Sequence, residues 1–229
     1  MTISAGLRLR DYVSLDDDLS EYFDADDFAW NCLDSLEAIV LALGERDNLP
    51  RSSGPTGAPV FIHPEARIEP AAHIVGPAYI GQGVEIRHGC YIRDNVVLLR
   101  DSTVGHGSEV KNSILFPGAA VPHLSYVGDS VLGYQVNLGA GVILSNLQIL
   151  GNVAISIPFA GSVTDTGRRK FGAIVGDGTS VGCNTVLNPG VLIGPDSIVY
   201  ALVSLRKGVY PAHAIIKATG AEPVMKWEG

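Results

Sequence analysis

The sequence predicts an all-β solenoid: a parallel β-helix of hexapeptide repeats, with a short helical segment ahead of it. Three observations predict it. Every sixth residue from Ile62 is a large aliphatic, giving Ile62, Ile68, Ile74, Ile80, Ile86, Ile92, Leu98, Val104 and Val110. Apolar content is 46% but aromatic content only 7%, so the core is built mainly from small aliphatic side chains. Glycine is frequent, at 27 residues, as a chain that turns at every hexad requires. A helix spaces its apolar face by three or four residues and a simple strand by two. A strict period of six fits neither alone. It fits short strands on the flat faces of a coil, each sending one aliphatic to a common axis.

The totals bound the rest. A chain of 229 residues has room for one large domain, or for one domain and a small one. The net charge of −8 argues against a nucleic-acid partner, because phosphate backbones need a basic face. A local basic cluster for a small anion remains compatible with it. Cys32, Cys90 and Cys183 are odd in number, far apart and in no CxxC pair, which suggests free thiols in a reducing compartment. The opening MTISAGLRLR lacks the apolar run of a signal peptide, and no stretch of eighteen apolar residues occurs. The expectation is a soluble cytoplasmic protein with no membrane partner.

Residues 1–58 are expected to form an N-terminal helix and linker. Leu7, Leu9, Tyr12 and Val13 suggest a short strand, and the run Asp16, Asp17, Asp18 a solvated loop. Over 26–44 the period changes: Ala29, Leu33, Leu36, Val40 and Leu43 make one helical stripe, with Asp26 or Asp27 as cap and Gly44 at its end. Such a helix is not stable alone and must pack on the solenoid or on another subunit. Residues 45–58, rich in Pro, Gly and Ser, read as linker.

Residues 59–209 carry the hexads, about three coils for the first nine at three strands per coil. Pro64, Pro70 and Gly76 suit corners. The phase slips around Pro117–Tyr126, resumes at Leu132, Leu138, Leu144 and Leu150, breaks, and resumes from Val175 to Leu205. The break marks an inserted loop, 147–170, projecting from one face. Its Arg168, Arg169 and Lys170 form either a solvated basic turn or an anion clamp. Residues 210–229 are expected to leave the repeat as a C-terminal tail covering the open strand edge.

Few residues offer chemistry. The six histidines are not spaced for a metal centre; His88 and His106, eighteen apart, stack in consecutive coils but lack a third ligand, so no metal is expected. There is no GxSxG elbow, no GxGxxG between strand and helix, and no P-loop. What remains is Gly107–Gly141, where the repeat loses phase and Glu109, Lys111, His123, Tyr126 and Asn137 cluster. Function is expected where a strict local pattern fails.

These residues carry a resemblance. The motif HLSYVGD, with NLGAG fourteen residues after its histidine, resembles the acetyltransferase domain of bifunctional N-acetylglucosamine-1-phosphate uridyltransferase/glucosamine-1-phosphate acetyltransferases. SNL at 145–147 and TGRRKFGAIVGDG at 166–178 look most like the archaeal-type sugar-1-phosphate nucleotidylyltransferases that carry the same domain. The resemblance covers roughly residues 60–210, and the segment WNCLDSL resembles the helix joining the two domains. It implies a left-handed parallel β-helix, a homotrimer with sites between subunits, and acetyl-CoA as cosubstrate. On the matching positions, His123 is the general base that deprotonates the sugar amine; Glu109 and Asn146 complete the catalytic set. Arg93 and Lys111 match the cations on the sugar phosphate, with Tyr126 and Asn137 as further substrate contacts. Ala140, Cys183 and Ala201 match positions lining the acetyl-CoA cleft, and Lys170 and Lys217 are looser matches to cofactor contacts.

The chain departs from the family in three ways. No nucleotidyltransferase domain, and so no nucleotidyl transfer, is expected of it; it has Cys183 where Ser is frequent; and loop 147–170 is longer than in the bacterial bifunctional enzyme. The expected function is therefore acetyl-CoA-dependent N-acetylation of an amino-sugar 1-phosphate, glucosamine or galactosamine. The alternatives are a non-catalytic trimeric scaffold that recruits a separate nucleotidyltransferase, and an O-acetyltransferase of a nucleotide sugar.

Overall fold

A computed structural model describes residues 6–149 and 153–218. The hexads build a left-handed parallel β-helix with three faces. Among the described residues the first face has nine strands, from Arg51–Ser53 and Pro59–Ile62 to Gly208–Tyr210. The second has eight, from Arg67–Ile68 to Ile215–Ile216, and the third seven, from His73–Ile74 to Ser204–Leu205. The aliphatic of each hexad meets its equivalent in the next coil: Ile62 pairs Ile80, Ile80 pairs Leu98, Ile86 pairs Val104 and Ile92 pairs Val110. From Val84 to Leu144 these axial side chains are fully buried in one continuous core. Corners stack as closely as strands do. At Gly105 a Cβ would collide with the Pro122 carbonyl of the next coil, so only glycine fits there.

The loss of phase differs from the sequence expectation. There is no irregular stretch at Pro117–Tyr126. Instead single residues are dropped at the corner between the third and first faces. Leu98 pairs Leu115, and Leu115 pairs Leu132, so these coils are one residue shorter than those above. The tightened corners turn through Asn112 and Asp129 at φ 45 and 49, left-handed angles that Asn and Asp tolerate best among residues with a side chain. Gly107–Gly141 is thus regular solenoid, and its polar residues stand on ordinary strands and corners.

The inserted loop leaves the solenoid where Leu147 bridges Lys170 antiparallel and the Phe171 N–H donates to the Asn146 carbonyl at 2.9 Å. Inside it, Ser156–Phe159 and Ser162–Asp165 pair as a hairpin. At the other end, Tyr210 and Ile216 still pair in register, so the repeat runs past the expected start of the tail. The expected covering of the strand edge by 219–229 lies outside the described residues.

The N-terminal segment departs most from expectation. Leu7, Leu9, Tyr12 and Val13 are buried, but as a 3-10 turn at Leu9–Asp11 rather than a strand. The Asp11 carboxylate accepts the N–H groups of Gly6 and Arg8 at 2.7 and 2.8 Å, which closes the turn. Asp16 is no part of a solvated loop: it caps the short helix Asp17–Ser20, accepting the Leu19 N–H at 3.1 Å. The single expected helix divides into a 3-10 turn at Asn31–Asp34 and an α-helix at Leu36–Arg46. Gly44 lies inside this helix because the Phe61 ring occupies the place of its Cβ. The linker contributes a strand, since Arg51–Ser53 pairs antiparallel with Pro59–Phe61.

This segment packs on the outside of the first face. Strands Val96–Leu98, Ser113–Leu115, Ala173–Val175 and Val191–Ile193 are buried at every position. By contrast Asn137–Leu138, Ser180–Val181 and Ile198–Val199 on the second face alternate exposed and buried. The second core joins Trp30, Leu36, Val40 and Leu43 to Phe61, Val97, Ile114 and Phe171. Trp30 stacks on Phe28 at 4.7 Å and tilts against Phe171 at 5.9 Å. One face of the prism is therefore closed, and only the second and third faces remain for ligands or subunits.

Arg168 settles one alternative for the basic turn. It pairs with Asp34, its side chain is 14% exposed, and so it ties the inserted loop to the N-terminal segment. Replacing Arg168 by alanine removes the ion pair and the packed stem. Asp34 is 66% exposed and rehydrates, which holds the expected loss to roughly 1–2 kcal/mol. A lower urea midpoint with an unchanged slope is the expected reading; an unchanged midpoint would show that the clamp contributes nothing.

Candidate functional site

The third face is bounded by two corners, and the polar residues of the middle coils sort onto one or the other. Stacked coils repeat at about 4.8 Å, so each corner is a ladder of side chains in register.

The corner between the second and third faces carries His88, His106, His123, Ala140, Cys183 and Ala201 in successive coils. Backbone bonds join its rungs: Leu124 N–H to the His106 carbonyl at 2.8 Å, Gly141 to His123 at 3.0 Å, Asn184 to Ala140 at 2.8 Å and Leu202 to Cys183 at 3.0 Å. The rings of His88 and His106 stack at 5.7 Å and 15°, as their spacing predicts. His106 Nδ1 lies 2.9 Å from the His88 carbonyl, and His88 Nδ1 lies 2.9 Å from that of Pro70. A carbonyl only accepts, so both Nδ1 atoms carry hydrogen. The His123 ring is exposed and makes no hydrogen bond among the described residues. Below it the ladder changes character. Three imidazoles give way to the small side chains of Ala140, Cys183 and Ala201, the last two exposed. Leu124 and Leu202, which follow His123 and Ala201, are exposed as well.

The corner between the third and first faces carries Arg93, Lys111, Gly128 and Ser145, followed along the chain by Asp94, Asn112, Asp129 and Asn146. Arg93 Nη1 donates to Glu109 Oε1 at 2.8 Å, and this bond holds the guanidinium above its ordinary range. Lys111 Nζ is 3.6 Å from Asp94 and 4.0 Å from Asp129. Asp129 is buried and accepts Asn112 Nδ2 at 2.8 Å and Asn146 Nδ2 at 2.5 Å. Asn146 Nδ2 also lies 3.2 Å from the Tyr126 hydroxyl, over Gly128, where a Cβ would crowd both groups. Burial, and then the charges of Glu109 and Asp129, raise the Tyr126 phenol. It therefore stays protonated at neutral pH, accepting from the Asn146 amide and keeping its own O–H as a donor for a ligand. Glu109 and Tyr126 are neighbours in register on the third face itself.

The structure thus unites Arg93, Glu109, Lys111, Tyr126 and Asn146 in one network and stacks His123 with Ala140, Cys183 and Ala201 on the opposite corner. Asn137 joins neither group: it sits on the second face between Ala120 and Ser180. Lys170 lies at the base of the inserted loop, on the other corner from Ala140, Cys183 and Ala201. Lys217 stands 4.8 Å over the Tyr200 ring, beside Ala201 at the foot of that ladder. Sequence reasoning missed Asp94, Asn112 and Asp129. Asp129 ends the HLSYVGD motif, and its spacing of seventeen from Asn112 was the available signal. Among the described residues no group of three or more His, Cys, Asp or Glu side chains is placed to hold a metal.

The profile of a family described as "GMPPB C-terminal domain" matches residues 56–156. A "Bifunctional sugar-1-phosphate nucleotidylyltransferase/acetyltransferase" of Sulfurisphaera tokodaii is 36% identical over 177 residues, 75% of this chain and 43% of that protein. The "Bifunctional protein GlmU" of Methanococcus vannielii is 40% identical over 119 residues, 52% of this chain and 28% of that protein. Among solved structures, the acetyltransferase domain of PglB from Neisseria gonorrhoeae, in complex with acetyl coenzyme A, is 17% identical with a TM-score of 0.27. It covers 72% of this chain and 57% of that one. In sequence, this chain is similar to proteins named as bifunctional, one of them by a name that pairs nucleotidylyl and acetyl transfer, and it spans less than half the length of those relatives.

Proposed function

We propose that this chain is an acetyl-CoA-dependent N-acetyltransferase acting on an amino-sugar 1-phosphate, glucosamine or galactosamine, with His123 as general base. The observation that carries it is the ladder on which an exposed, unpartnered imidazole heads a run of small side chains. A pantetheine arm lying on Ala140, Cys183 and Ala201 brings its thioester to His123, and Lys217 stands where the arm would leave the coils. The imidazole takes the proton as the amine nitrogen attacks the thioester carbonyl carbon. The carbon–sulfur bond then breaks, and the thiolate leaves as free CoA. Arg93 and Lys111 supply charge-assisted donors for the sugar phosphate, Tyr126 and Glu109 contact the sugar, and Asn137, on the second face, reaches it from the subunit that supplies His123. Asn146, held by Asp129, presents an amide to the acetyl group.

The two corners also bear on assembly. His123 and Gly128 are five residues apart on one coil, up to about 17 Å of extended chain, and Lys111 stacks above Gly128. The amine and phosphate of an amino-sugar 1-phosphate sit on neighbouring carbons. A base and a phosphate clamp on opposite edges of one face serve such a molecule best when they come from two subunits, as in a homotrimer. The covered first face leaves the other two for that contact.

Release of free CoA thiol from acetyl-CoA tests the reading, with glucosamine-1-phosphate, galactosamine-1-phosphate and unphosphorylated glucosamine as acceptors. We expect release with at least one sugar phosphate and a much higher KM for the unphosphorylated sugar. No release with either phosphate would overturn the proposal. It would favour a scaffold or regulatory partner of a separate nucleotidyltransferase.

A further inference from the structure

The corner between the third and first faces continues past Asn146 into a groove to which none of the roles proposed above is assigned. It encloses about 660 Å³ and is lined by Ser145, Leu147, Asn188, Ser204, Arg206 and Lys207, among others. Small-molecule sites fall in the range of roughly 300–1,000 Å³. Among the described residues no carboxylate lines the groove, on a chain whose net charge is −8. Two adjacent cations without an acid create a local positive site that the overall charge conceals.

The groove is also built. Asn188 Nδ2 donates to Ser204 Oγ at 3.1 Å and to the Leu205 carbonyl at 2.6 Å, which fixes the amide. Lys207 Nζ donates to Ser156 Oγ at 3.2 Å, so the inserted hairpin holds one cation in place. Arg206 forms no ion pair with a described residue. Gln148 Nε2, on the same wall, is a buried donor without a partner, a costly arrangement that a ligand acceptor would relieve. Leu147 and Pro189 supply apolar surface.

We propose that this groove binds an organic phosphate of nucleotide size, with its phosphoryl oxygens on Arg206 and Lys207 and its apolar body against Leu147 and Pro189. It is distinct from the cations of the proposed acceptor site. In register, Arg206 follows Lys111 by four coils, through Gly128, Ser145 and Asn188. That is about 19 Å, too far for both to hold one phosphate.

Calorimetric titration with uridine 5′-diphosphate and with pyrophosphate tests it, on wild type, Arg206→Gln, Arg206→Gln/Lys207→Gln and Lys111→Gln. The expected result is that wild type binds the nucleotide, the double variant binds it at least tenfold more weakly, and the single variant lies between. Lys111→Gln should bind it as wild type does. Equal nucleotide affinity in the double variant and wild type, or no binding of either probe to wild type, overturns the proposal. Nucleotide binding no tighter than pyrophosphate binding overturns the assignment of an organic phosphate. Both cations are exposed, so circular dichroism of the variants should match wild type. Thiol release measured in parallel separates the two readings: loss of nucleotide binding with intact acetyl transfer is the expected behaviour of the double variant. Nucleotide binding by a wild type inactive in transfer would leave this proposal standing without the other.

Discussion

Replacing His123 by alanine is expected to lower thiol release by about 10²–10⁴-fold, the usual contribution of a positioned general base, while leaving the urea midpoint almost unmoved. The two halves of this expectation have different origins. The loss of rate follows from the proposed chemistry, in which no other imidazole reaches the same point. The rings of His88 and His106 stand on earlier coils, turned onto carbonyls through Nδ1. The preserved stability follows from the exposed ring, which makes no hydrogen bond among the described residues, so truncation removes little. Exposed substitutions of this kind usually change stability by less than about 0.5 kcal/mol. The backbone rung through the His123 carbonyl to Gly141 does not depend on the side chain. Thiol release and urea denaturation on the same preparation check both halves. Wild-type release by His123→Ala would remove the histidine from the mechanism, and a collapse of stability would make it a structural residue instead.

The solenoid was legible because its period is a direct image of its geometry. Each aliphatic from Ile62 to Val110 occupies an equivalent position in register, and from Ile80 onward each is fully buried in the axial core. The shortened corners at Asn112 and Asp129 were legible only in outline. Dropping one residue leaves every later hexad intact but moves its number, so a reading by fixed period sees disorder where there is a tighter turn. The N-terminal segment was legible as buried but not as an element. Leu7 to Val13 reads as apolar alternation, yet the Asp11 carboxylate satisfies two backbone donors locally and favours a turn. The site was legible through motif residues whose chemistry is their own, such as Arg93, Lys111 and His123. Asp129 was not, because its importance lies in the Asn112 and Asn146 amides it gathers from coils on either side. The division of the site into two corners was likewise hidden, since sequence order interleaves residues that the faces separate.

That division makes the second large effect, rescue of one inactive variant by another. His123→Ala keeps the cation corner, and Lys111→Gln keeps the base corner. Each variant alone should be nearly inactive, the first for want of a base and the second for want of a phosphate clamp whose Nζ is otherwise held between Asp94 and Asp129. Suppose each site takes its histidine from one subunit and its lysine from the next. Around a three-membered ring containing both variants, one junction always joins an intact histidine to an intact lysine, whichever variant is in the majority. Co-expression with two different tags, followed by purification on both, isolates such mixed rings. They should recover about a third of wild-type turnover per trimer, against near-zero turnover for either parent. Should both groups serve a single site within one chain, every site in the mixture would lack one of them and no recovery would occur. Recovery above background therefore distinguishes a site shared between subunits from one contained in each, and light scattering on the same preparation must give three chains per particle for the fraction to hold.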